Sequence, residues 1–171
     1  MSVYFTTTNY LRANTSNGNS VDENLMTPLV KTNAEMWIKP ILGSYFFTDL
    51  LTKYNTQALS ADEISLVQDW IQPAIAWKVN SDLIVNSSLQ LKNKGIQTQS
   101  GDFSNAGDFK QMAFAQRTAF DKGTYYEQNL GEHLSTASTQ ALFPSFTSSL
   151  NDDSIVKTCD SNLCTGNIFF I

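Results

Sequence analysis

A chain of 171 residues is long enough for one domain with a sizeable core, or for a smaller core with long termini. Apolar residues make up 42% and charged residues 16%, below the roughly 25% usual in globular domains, and Ser, Thr, Asn and Gln fill the difference. The net charge is −5 and the densest basic cluster is Lys92 with Lys94, which excludes tight binding of nucleic-acid phosphates by the single chain. A polar, weakly charged surface costs less to desolvate than one covered in Lys and Glu, and so suits a subunit covered by partners.

Residues 1–32 carry only Arg12, Asp22, Glu23 and Lys31 as charges and are crowded with Ser, Thr and Asn, notably from Asn14 to Ser20. So little apolar periodicity predicts an extended N-terminal arm rather than a folded unit. Its apolar islands, Val3, Tyr4 and Phe5 and then Leu25 and Met26, are expected to dock on something. Residues 1–10 have neither a basic start nor an apolar core, so no secretion signal is expected.

Helices are expected from Thr32 onward. Thr32-Asn33-Ala34-Glu35 and Ser60-Ala61-Asp62-Glu63 both match a capping box, each followed by apolar residues at helical spacing. The first run continues with Trp37, Ile38, Ile41 and Leu42, the second with Ile64, Val67, Ile71 and Ala74. Each contains a proline, Pro40 and Pro73, where the helix should bend or break. The shared wording Trp-Ile-x-Pro reads as a common packing requirement rather than a repeat. Alternation around Asn93-Lys94-Gly95 predicts a short β-hairpin near 89–99. A third helical stretch follows, capped by Ser104 or Asn105, with Phe109 and Met112 inward and a possible interruption at Gly123. The expected core is Trp37, Ile38, Ile41, Ile64, Val67, Ile71, Phe109 and Met112. The fold class is therefore mainly α: a small helical bundle over 33–143 with one hairpin, between extended arms at 1–32 and 144–171.

In the C-terminal arm Pro144 stops the helix, and a Ser/Thr-rich run leads to Ile168-Phe169-Phe170-Ile171. An apolar cluster of that kind needs a partner or the chain's own core to cover it. Val3, Tyr4, Phe5, Ile168, Phe169, Phe170 and Ile171 are accordingly the expected assembly contacts. Cys159 and Cys164 have poor zinc spacing and read as unpaired surface thiols first, a local disulfide second.

Catalytic chemistry finds no constellation. His133 is the single histidine, which excludes multi-histidine metal sites, and it reads as a helix-surface residue beside Glu132. The glycines form no phosphate-cradling loop, and the acidic pairs Asp62-Glu63 and Asp152-Asp153 lack the framing of a calcium loop. Trp37, Trp70 and Trp77 lie in helical stretches where packing is their expected role. No enzyme activity, cofactor or metal is expected, and no segment approaches the roughly 18 apolar residues of a membrane span.

The stretches Asn33 to Gly43, Trp70 to Ala74, and Tyr125-Tyr126 through Leu142-Phe143-Pro144 resemble the head-to-tail connector (neck ring or adaptor) proteins of tailed bacteriophages. Low charge and richness in Asn and Thr are similar to those of crAss-like gut phages. The resemblance covers roughly residues 25–146. It implies a structural virion protein at the portal vertex, made in the host bacterial cytoplasm. It also implies a ring, usually of about twelve copies, that joins portal and head to neck or tail proteins and lets DNA pass without specific binding. Twelve copies at −5 carry about −60, a lumen that repels DNA rather than gripping it. The alternatives are another phage assembly protein, such as a tail terminator or capsid-associated factor, and a non-viral helical protein-binding module.

Overall fold

A computed structural model of the chain describes residues 4–15, 21–92, 95–98 and 109–149. The fold is mainly α. Helices α1 (Thr8–Asn14), α2 (Glu23–Asn33), α3 (Lys39–Leu42), α4 (Ser44–Thr56), α5 (Ala61–Leu66) and α6 (Gln72–Ser88) precede α7 (Phe109–Ser135), α8 (Ala137–Leu142) and α9 (Pro144–Ser149). Between α6 and α7, β1 (Leu89–Lys92) and β2 (Gly95–Thr98) pair antiparallel, with Leu91 opposite Ile96.

α6 is the central element. Ile71 just before it, then Ala74, Ile75, Ala76, Val79 and Leu83, are all buried, so the helix is covered on several sides. α7 runs along α6, and α2 packs on α6 as well. This centrality explains why α6 has no single apolar stripe and buries Lys78, Asn80 and Ser81 along with its apolar side chains.

The N-terminal segment is not the extended arm its composition predicts. Thr7 caps α1, accepting from the Tyr10 amide, and Asp22 caps α2, accepting from the Asn24 amide. Arg12 joins the two helices, donating to Glu23 at 3.1 Å and to the Val21 carbonyl at 3.1 Å. Phe5, Leu11, Met26 and Val30 are buried in the common core. A few large side chains, each delivered by a short capped helix, bury the surface that the Ser/Thr/Asn count conceals. The described start of the C-terminal arm is likewise helical: Pro144 opens α9, and Phe146 is buried against Phe46 at a centroid distance of 5.6 Å.

Of the two capping boxes, only the one at Ser60 is made, with Ser60 accepting from the Glu63 amide and Glu63 accepting from the Ser60 amide. Thr32 starts nothing, because the Asp22 cap has already opened α2 upstream and the helix passes through Thr32. Glu35 instead accepts from the Tyr4 hydroxyl at 3.4 Å.

The prolines do not break their helices. Each is preceded by a π-turn, Ala34–Ile38 before Pro40 and Val67–Ile71 before Pro73. In the first the Lys39 amide donates to the Ala34 carbonyl, and in the second the Gln72 amide donates to the Val67 carbonyl. One extra residue per turn makes room where the proline ring would crowd the preceding turn and its missing N–H would leave a gap. The shared Trp-Ile-x-Pro wording therefore encodes a shared bulge. Both isoleucines, Ile38 and Ile71, are fully buried, while both tryptophans turn toward α7. The first helical run ends at Gly43, whose φ of 76° turns the chain into α4.

The expected core is in place in part: Ile38, Val67 and Ile71 are buried, and Trp37, Ile41 and Met112 are half-buried. Ile64 is a correction, at 40% exposure on the outer face of α5. The Phe109 side chain, the Ser104 and Asn105 cap, and the two cysteines lie outside what is described.

Candidate functional site

Two polar constructions stand out from the packing. The first is a buried lysine in the seam between α6 and α7. Lys78 is 2% exposed, and its ammonium lies 3.9 Å from the Trp37 ring centroid and 3.6 Å from that of Phe120. Its Nζ donates to Thr124 Oγ1 at 2.8 Å and pairs with Glu127 Oε2 at 3.1 Å. Two aromatic faces supply cation–π attraction, and the hydroxyl and carboxylate take up the N–H directions the rings leave.

Gly123 makes the space for this lysine. A Cβ there would stand 2.8 Å from Lys78 Cγ, so α7 runs through Gly123 without the interruption its residue type suggests. Burial pushes the Lys78 ammonium below its ordinary pKa, and the Glu127 charge and hydrogen bond hold part of it back. Walled in by these groups, the lysine ties α7 to α6.

The second construction is the corner where α4 turns into α5. Lys53 pairs with Asp49 at 2.9 Å and Glu63 at 2.7 Å, and Ser145 of α9 donates to Asp49 at 2.8 Å. Burial alone would raise both carboxyls, but hydrogen bonds from Lys53, with Ser145 for Asp49 and Ser60 for Glu63, bring both below their usual range. Lys53 is pushed up by its hydrogen bonds to Glu63 and Asp49. Beside this cluster a cavity of about 460 Å³ opens at the surface, lined by Thr7, Tyr54, Asn55, Gln57, Leu59 and Ile64.

The groove is built on fixed backbone. α4 ends with Gln57 in the left-handed region at φ 57°, the Ala58 amide donates to the Lys53 carbonyl at 2.9 Å, and the Ser60 box starts α5. Tyr54 stands against Phe5, with ring centroids 5.7 Å apart, and Gln72 donates to the Phe5 carbonyl at 2.7 Å.

Of the expected assembly contacts, Phe5 is wholly buried against Phe47 and Tyr54, and so belongs to the chain's own core. Tyr4 is half-buried, close to Glu35 and 5.8 Å from the Lys31 ammonium. Val3, Ile168, Phe169, Phe170 and Ile171 lie outside the described residues. His133 is exposed on α7 and stacks on Trp70 at 5.8 Å. The half-buried Trp77 carries the Lys122 ammonium 4.1 Å from its ring centroid. Among the described residues no group of three or more His, Cys, Asp or Glu is placed to hold a metal, and no helix is long and apolar enough to cross a membrane. Phe114 is 75% exposed and Tyr125 61% exposed, both on α7.

Sequence reading missed Lys78 because a lysine is surface by default. The signal lay on the opposite helix, where Gly123, Thr124 and Glu127 occupy one stretch of α7 and supply space, acceptor and counter-charge. No curated protein and no solved structure matches the chain. Residues 38–154, from the first π-turn to beyond α9, match DUF6712, a family of unknown function, and the chain belongs to that family.

Proposed function

We propose that this chain is a structural, non-enzymatic virion protein of tailed bacteriophages, a neck-ring subunit that joins portal and head to tail and continues the DNA channel. The observation that carries this reading is the convergence of the three stretches that resemble connector proteins. Ile38 and Leu42 of the first, Ile71 and Ala74 of the second, and Leu130, Leu134 and Phe143 of the third belong to one buried core, and Trp70 meets His133 directly. In this reading the subunit is a small helical bundle with a hairpin near residues 89–99. About twelve copies surround the channel at the portal vertex, and their acidic lumen passes DNA without binding it. The exposed Phe114 and Tyr125 of α7 suit contact with neighbouring copies or rings.

The test is native mass of the full-length chain, alone and mixed with the portal protein of its phage. A discrete ring-sized oligomer seated on the portal is expected. A chain that joins no portal and forms no closed oligomer overturns the proposal. The groove beside α4 favours one competing reading, a helical module that binds a partner protein outside any virion. Its signature is a one-to-one complex.

A further inference from the structure

We propose that the outer face of α7 pairs antiparallel with the same face of a second copy, so that the chain off the ring is a two-fold symmetric dimer. This goes beyond the ring reading above. The contact closes on two copies, and the pair parts when that face meets a neighbour in a ring.

The face has the exposure that a contact surface needs. α7 spans Phe109–Ser135, about 40 Å of helix. Its inner side lies on α6, yet none of residues 110–118 is buried, and only Met112 and Gln116 among them are half-buried. Away from the seam, Lys110, Phe114, Arg117, Asp121, Tyr125 and Glu132 recur at helical spacing and are all exposed, so they line one outer stripe. Phe114, at 75%, is the most exposed large apolar side chain among the described residues, and Tyr125 is 61% exposed. The two are about three full turns apart, so their rings leave the helix on the same side. A phenylalanine and a tyrosine presented together in this way mark a surface that a protein partner covers.

Charge selects a second copy as that partner. The first half of α7 carries Lys110 and Arg117 and no carboxylate. The second half carries Asp121, Glu127 and Glu132 against Lys122, which lies over Trp77. A lysine in the first turn and a glutamate in the last both oppose the helix dipole, so this order disfavours the helix standing alone. It is complementary to the same helix reversed. With Phe114 level with Tyr125 of the second copy, Arg117 stands about 1.5 Å along the axis from that copy's Asp121. Lys110 then stands about 4.5 Å along the axis from that copy's Glu132, a gap that long side chains span. Each contact occurs twice, once on either side of the two-fold axis, as an isologous interface requires. Within one copy the Arg117–Asp121 pair is 3.9 Å apart, with side chains 85% and 66% exposed, a loose pair that exchanges readily for one across the contact. A contact one helix wide sits at the small end of specific interfaces, so a dissociation constant of roughly micromolar is expected.

The experiment is sedimentation of the full-length chain, joined to a disulfide map. A dimer is expected above micromolar concentration, and Phe114→Asp should weaken it at least about tenfold with helicity unchanged. Arg117→Glu and Asp121→Arg, both at exposed positions, should each abolish the dimer alone. Mixed together they should recover it, because the reversed charges then meet across the contact. For the map, both cysteines are replaced, Cys159→Ser and Cys164→Ser. Copies carrying Phe114→Cys are mixed with size-tagged copies carrying Tyr125→Cys, oxidised, and read by mass, and a mixed-size bonded pair is expected. Bonds between two Phe114→Cys copies would mean parallel pairing. A chain that stays monomeric well above micromolar concentration would mean that something else covers the face, and either result overturns the proposal. Rings that seat on the portal from a monomeric chain remove this contact and leave the ring reading standing. Dimers with the mixed bond that never join a portal support the contact and remove the ring.

Discussion

Lys78 and Lys53 are both lysines paired with carboxylates, set in two different regions of the molecule. In the α6–α7 seam Lys78 is 2% exposed, and its ammonium is held by two rings, one hydroxyl and one carboxylate. At the α4–α5 corner the Lys53 side chain is 34% exposed and shared between two carboxylates. The seam moves its lysine down in pKa, because desolvation outweighs Glu127; the corner moves its lysine up, because the hydrogen bonds to Glu63 and Asp49 outweigh burial. The same ion-pair chemistry thus does two jobs. In the seam the charge is retained at a desolvation cost and specifies how two helices sit together; at the corner it is a mild clamp.

The largest effect expected from this contrast follows from shortening the buried side chain. Lys78→Ala removes a stem packed among Trp37, Phe120 and Gly123 and leaves a cavity, at a cost of about 2–5 kcal/mol. Lys78→Met combined with Glu127→Gln keeps the stem and discards both charges, and should fall within about 1.5 kcal/mol of the parent, on either side. Urea unfolding of both variants checks this. Equal, large losses would mean that the charge, not the shape, holds the seam.

The same contrast explains what could be read in advance. The Ser60 box was legible because its partners lie three residues apart and nothing upstream competes. The identical pattern at Thr32 lost to Asp22, whose cap begins the helix earlier. The prolines were legible as perturbations, but not as π-turns, since a bulge depends on whether both halves of the helix are held by packing, and here Ile38 and Ile71 hold them. Local patterns at the corner carried its structure. The seam joins residues from α2's extension, α6 and α7, and such meetings leave little local trace. Phe5 and Leu11 show the same limit: two large side chains in a polar stretch decide whether it folds, and composition averages them away.

Acid should separate the two regions next. Asp49 and Glu63 have folded pKa values below their ordinary ones, so their contribution is fully present above about pH 4–5 and is lost as pH falls through the folded values. Lys53→Met removes the partner and should flatten that loss, with a difference of about 0–1 kcal/mol per pair near neutral pH. In alkali the signs diverge. The raised Lys53 loses its contribution only as pH climbs past its ordinary value, whereas the lowered Lys78 gains stability as pH rises from its folded toward its unfolded pKa. Melting temperature against pH for the parent, Lys53→Met and Lys78→Met checks both limbs. A Lys53→Met curve parallel to the parent's in acid would remove the corner cluster as the source.

The smallest expected effect sharpens the description of the corner. Gln57 occupies the left-handed region at φ 57° and ψ 33° just past α4, a conformation that costs a residue with a Cβ roughly 1 kcal/mol. Its amide still donates to the Tyr54 carbonyl at 3.3 Å, so the backbone there is needed whichever side chain it carries. Gln57→Gly relieves the strain and keeps that bond, while glycine's greater freedom in the unfolded chain takes back part of the gain. The net is a stabilisation of a few tenths to about 1 kcal/mol, visible as a small rise in urea midpoint with an unchanged slope. A loss instead of a gain would mean that the Gln57 side chain itself braces the groove wall, and the corner would then depend on side-chain fit as the α6–α7 seam does.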